Sequence, residues 1–127
     1  MIEELETRFN NLKESIGLNN KETLDVMVSL ANQYSASKKY DMAENLLRDA
    51  LKIDIDLFGE YSRDTIYTID SLGNLFLEKK DYTESKRYFD QAYEYKQKTY
   101  NEEEILIAKQ ELDDLYRLFD GDDINVF

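Results

Sequence analysis

Cysteine and histidine are both missing from this 127-residue sequence. Their absence removes disulfides, thiolate nucleophiles, most zinc sites and the commonest general base. Proline is also absent and only four glycines occur, so a chain rich in helix formers has few breakers. No stretch approaches the roughly 20 apolar residues that a membrane span needs. The opening Met1-Ile2-Glu3-Glu4-Leu5-Glu6 is acidic and lacks the basic and apolar regions of a secretion signal. Basic residues are outnumbered 28 to 16, and the net charge of −12 opposes phosphate backbones and anionic lipid. These absences predict a soluble, all-helical, cytoplasmic chain that holds no cofactor or metal and binds neither nucleic acid nor membrane.

What is present is a repeat. Leu72-Gly73-Asn74-Leu75-Phe76 stands 42 residues after Leu30-Ala31-Asn32-Gln33-Tyr34. Both read as large residue, small residue, asparagine, any residue, aromatic. Glycine in mid-helix costs roughly 1 kcal/mol against alanine, so Gly73 predicts a close approach by the backbone of a second helix. The flanking chemistry repeats at the same offset. Gly17 and Gly59 each stand six residues before a threonine, Thr23 and Thr65, and between them Asn20 matches Ser62, Lys21 matches Arg63 and Glu22 matches Asp64. Agreement in helix, turn and cap together exceeds what amphipathicity alone produces.

Taken in order, residues 2–16 space Ile2, Leu5, Phe9, Leu12 and Ile16 for one helix face, and Gly17 ends that helix. Asn20 caps a helix to about Ser37 that packs through Leu24, Met27, Leu30, Ala31 and Tyr34. Beyond the Lys38-Lys39 turn, a helix from Tyr40 to Phe58 buries Ala43, Leu47, Ala50 and Leu51. The second copy repeats these with Ile66, Ile69, Leu72, Gly73 and Phe76, a Lys79-Lys80-Asp81 turn, then Tyr82, Ser85, Phe89, Ala92 and Tyr93. A third begins at Asn101 and Glu104, spaced as a capping box. There Tyr116 takes the place of Gly73 and denies a tight partner, which predicts a terminal helix over 102–119. The organisation expected is a cap (1–17), two units (20–59 and 62–100), a capping helix of a truncated third unit (101–119) and an acidic tail (120–127) closing on Ile124, Val126 and Phe127.

The spacing of these large, small, aromatic and turn positions resembles the tetratricopeptide repeat, a helix–turn–helix unit usually about 34 residues long. The longer period, with Asp/Glu-Thr before each first helix, looks more like the kinesin-light-chain type. The resemblance covers about residues 20–119 and implies an all-α fold of about six helices, stacked as antiparallel pairs in a short right-handed superhelix. It also implies that first helices line a concave groove. Residue by residue, that groove would hold Asp25, Val28, Asn32 and Ala36, then Tyr67, Asp70, Asn74 and Glu78, then Gln110, Asp113 and Arg117. Asn32 and Asn74 match the asparagine that bonds a peptide backbone in several relatives, a task suited to an amide that both donates and accepts. Where relatives that bind acidic tails carry lysines, this chain has Val28, Asp70 and Asp113, so a basic or polar ligand segment fits better.

Other features carry blander readings. Tyr82, Tyr88, Tyr93, Tyr95 and Tyr100 crowd one helix, but their places in the first copy are apolar core, and the net charge disfavours base stacking. Asp113-Asp114, Glu102-Glu103-Glu104 and Asp120-Gly121-Asp122-Asp123 lack the ligand spacing of a calcium loop and read as solvated faces. No phosphate loop or nucleophile–base pair is present. The reading is a non-enzymatic adaptor or scaffold that binds a peptide or partner helix in a shallow acidic groove. The alternative is an assembly protein that forms a homodimer through its open repeat ends, where Leu106, Ile107 and Leu118 share an apolar stripe that either a second copy or the tail residues Ile124, Val126 and Phe127 folding back would cover.

Overall fold

The computed structural model describes the backbone of residues 1–125 and the side chains of residues 1–120. Within that range the chain forms six helices: α1 Ile2–Ser15, α2 Lys21–Ala36, α3 Tyr40–Phe58, α4 Arg63–Glu78, α5 Tyr82–Thr99 and α6 Glu102–Asn125. Each neighbour in sequence packs on the next, with α2/α3 and α4/α5 as the tightest pairs. The order is therefore one helix, two antiparallel hairpins and a last helix.

Local chemistry sets most boundaries. Asn20 Oδ1 accepts from the Glu22 amide (2.9 Å), and Ser62 Oγ accepts from the Thr65 amide (3.1 Å). The expected capping box forms in both directions, Glu104 N to Asn101 Oδ1 at 2.8 Å and Asn101 N to Glu104 Oε1 at 3.1 Å. The glycine–threonine spacing has a direct cause in the second copy, where Thr65 Oγ1 donates to the Gly59 carbonyl at 2.8 Å. Gly59 holds φ at +92°, a value that side-chain-bearing residues rarely adopt. The first copy lacks that bond, and the hydroxyl of Thr23 is buried without a partner.

Two expectations about ends change. The first helix stops at Ser15, leaving Ile16 at its C-cap and exposed, because Gly17 takes a left-handed conformation immediately afterwards. At the other end α6 does not stop near Phe119 but continues as helix to Asn125. The expected fold-back of Ile124, Val126 and Phe127 lies outside the described side chains.

The core runs through both hairpins and collects the faces read from periodicity: Leu24, Met27, Leu30, Ala31 and Tyr34, then Ala43, Leu47 and Ala50, then Ile66, Ile69, Leu72 and Phe76. Leu51 is half-buried beside them, and α1 adds buried Phe9 with Ile2, Leu5 and Leu12 packed against the same cluster. Gly73 departs from expectation in its partner. The atoms that a side chain there would meet first belong to the ring of Phe89, at 2.7–2.9 Å. The first copy has Ala31 opposite Leu47 at the equivalent places, so one methyl added on α2 is matched by a smaller side chain on α3. The paired helices hold total volume constant, as a close-packed core requires.

Candidate functional site

The first helices of the two units, α2 and α4, pack on each other directly. Lys21 Nζ meets Asp64 Oδ1 at 2.9 Å across them. One heptad further along both helices stand Val28 and Ser71, each only 4 % exposed. Small and apolar residues at that level let the backbones close.

The next interface differs. Described residues of α6 pack on α5, while the α6 backbone stays away from α4. Arg63 bridges the two helices at their N-terminal ends, with its guanidinium bidentate on Glu104 (3.0 and 2.8 Å) and 4.1 Å over the Tyr100 ring. One heptad on, where the first interface has Val28 and Ser71, this one sets Asp70 against Glu111. Tyr116 supports the displaced position: its hydroxyl lies 2.6 Å from Asp90 Oδ1 on α5, and its ring packs on Phe119, which stacks on Tyr82. Burial, then the hydrogen bond to Asp90, pushes the Tyr116 hydroxyl well above the ordinary phenol range.

The result is a pocket of about 410 Å³. Asn32 reaches it from α2; Tyr67, Asp70, Ser71 and Asn74 come from α4; Phe89, Tyr93 and Lys96 come from α5; Ala108, Glu111, Leu112 and Leu115 come from α6. Lys96 Nζ lies 3.0 Å from Asp70 Oδ2, with the two side chains 17 % and 28 % exposed. Burial raises the Asp70 carboxyl above its ordinary value and Glu111 adds to the rise, while the charge and hydrogen bond of Lys96 oppose it.

Of the residues expected to line a groove, Asn32, Tyr67, Asp70 and Asn74 meet at this pocket. Val28 is buried beneath the α2–α4 contact. Asp25 is exposed and paired with Lys21 (3.3 Å), Asp113 with Lys109 (3.0 Å) and Arg117 with Asp114 (3.0 Å), all away from the pocket wall. Glu78 is exposed at the far end of α4, as are Ala36 on α2 and Gln110 on α6. On the opposite stripe of α6, Leu106, Ile107 and Leu118 are 70, 53 and 68 % exposed.

Sequence reading missed the α5 wall and Glu111. A signal for the wall was available. Lys96 stands where the first copy has Asp54, and Asp70 stands where it has Val28, so one copy gained a complementary charge pair at two positions together. A paired change of that kind marks a contact between the two places.

Comparison with known proteins agrees with this architecture. No curated protein matches the chain. The tetratricopeptide-repeat family model matches residues 22–98, a span that takes in both hairpins. With the repeat, the caps and the paired helices all in that span, the chain belongs to the tetratricopeptide-repeat family, whose general role is protein–protein interaction.

Proposed function

We propose that the chain is an adaptor that binds an extended peptide, or the polar face of a partner helix, along the concave side formed by α2, α4 and α6. The observation that carries this reading is the convergence of Asn32 and Asn74, the repeated asparagines, on one open pocket. Two amides in line can each donate to and accept from a peptide backbone. The pocket wall carries Asp70 and Glu111 against Lys96, and the whole chain has a net charge of −12, so a basic or polar segment is the complementary ligand.

The test is a peptide-display library panned against the intact chain and against an Asn32→Ala/Asn74→Ala variant. Enriched sequences should be basic. Their affinity should fall roughly five- to fiftyfold in the variant, the effect of losing two modest hydrogen-bonding groups. Higher salt should weaken binding further, and the circular dichroism spectrum should not change. Unchanged affinity would move the site off the concave side.

A second reading, assembly through α6, is supported by the exposure of Leu106, Ile107 and Leu118. Leaving large apolar side chains in water forfeits roughly 1.5–3 kcal/mol each.

A further inference from the structure

We propose that the pocket between α4, α5 and α6 receives one arginine side chain from a partner polypeptide. This inference rests on the peptide-binding reading and specifies its central contact.

The molecule contains its own template for the interaction. At the N-terminal end of the α4–α6 gap, the Arg63 guanidinium takes both oxygens of Glu104 and lies over the ring of Tyr100. One heptad further along both helices the acceptors recur without the cation. Glu111 follows Glu104 on α6, Tyr67 and Tyr93 offer aromatic faces, and α4 carries Asp70 where an arginine would complete the pattern. Among the described residues of the pocket wall Lys96 is the one cation, and it is held by Asp70 at 3.0 Å. One carboxylate of the wall, that of Glu111, makes no ion pair among the described residues. Burial holds the Asp70 carboxyl above its ordinary value against the pull of Lys96, and the nearby charge of Glu111 adds to that rise.

The shape selects arginine over lysine. Phe89, Leu112 and Leu115 form an apolar floor suited to a three-carbon stem. A guanidinium is planar, weakly hydrated and able to stack on tyrosine while it binds a carboxylate with two parallel bonds, whereas an ammonium is a strongly hydrated point charge. Asn32 and Asn74 stand beside this floor, where the backbone on either side of the arginine would run.

The probe is an acetylated, amidated heptapeptide with one central arginine among glycines and serines, compared with versions carrying lysine or citrulline. Each is titrated to millimolar concentration against the ¹⁵N-labelled full chain and followed by amide chemical shifts. Arginine should move amides of α4 and α6 around Asn74 and Glu111. Its affinity should drop about three- to tenfold with lysine and by a similar factor in Glu111→Gln, and citrulline should leave the pocket amides in place. Glu111 is exposed, so the variant leaves the core intact. The inference is overturned if the three peptides act alike, if Glu111→Gln binds the arginine peptide as well as the parent does, or if no pocket amide moves. Display peptides that bind in the groove without needing arginine would sink this inference and leave the adaptor reading standing. A library that yields no binder would sink both.

Discussion

Residue by residue, the second hairpin turns on Gly73 and the Phe89 ring that fills its missing side chain. The Ser85 hydroxyl donates to the Gly73 carbonyl at 2.9 Å, so a hydrogen bond joins the two helices beside that contact. Gly73→Ala would gain roughly 1 kcal/mol of helix propensity but push a methyl into the ring, an intrusion that typically costs about 1–3 kcal/mol. The expected net result is destabilisation. In a Phe89→Leu background, which reproduces the Leu47 of the first hairpin, the same change should become neutral or stabilising. Urea unfolding of the four chains gives the coupling directly. Equal effects in the two backgrounds would mean that the ring is not what requires glycine.

Among the elements, the two helix–helix turns are built alike. Lys38 and Lys80 both adopt left-handed conformations, with φ of 65° and 62°. Each is held by a bond from the following residue to the helix five residues back, Lys39 N to Tyr34 O at 2.8 Å and Asp81 N to Phe76 O at 2.9 Å. The terminal element is different in kind. One stripe of α6 meets α5 through half-buried Leu112 and Leu115 and buried Phe119, while Leu106, Ile107 and Leu118 face water. If that stripe is an assembly surface, the chain should sediment as a concentration-dependent dimer, and Leu106→Gln/Leu118→Gln should sediment as a monomer with an unchanged helical spectrum. A monomer at every micromolar concentration tested would remove the assembly reading and leave the adaptor alone.

For the whole molecule, stability should rise as pH falls from neutral, against the usual trend of acid denaturation. Asp54 is 2 % exposed and accepts one short bond, from Thr68 Oγ1 at 2.6 Å. Burial pushes its carboxyl up to about 6; Asp64 and Asp25 add to the rise, and the Thr68 bond and Lys21 oppose it. The folded chain thus holds this proton more tightly than the unfolded chain does. The resulting stabilisation is complete below the ordinary aspartate value and is lost as pH climbs through about 6. Asp70, also raised, acts in the same direction, and protonation relieves part of the self-repulsion of a chain with net charge −12. Denaturant unfolding at pH 7.5 and 5.0 should show the parent gaining on the order of 2 kcal/mol at the lower pH. Asp54→Asn, which keeps an acceptor for Thr68, should exceed the parent at pH 7.5 and lose most of that advantage at pH 5.0. A variant no more stable than the parent at pH 7.5 would show that the buried charge carries no penalty.

The number of helices, their pairing, both turns and the repeat itself were legible in the sequence. Period, cap chemistry and breakers act over a few residues, and the same pattern written twice removes chance agreement. Asn32, Asn74, Tyr67 and Asp70 were named from the family resemblance, and the folded chain sets all four around one pocket. Three things were decided only in the folded chain. Gly73 is answered by a ring rather than a backbone, since which atom fills a gap depends on the partner helix. Val28 is covered where α2 meets α4, since closure between helices distant in sequence depends on what both contribute. The pocket lies where the α4 and α6 backbones stay apart and both helices border α5, so its walls come from elements distant in sequence. Which side chains share a wall belongs to no helix alone, and only tertiary packing brings Asp70, Lys96 and Glu111 together.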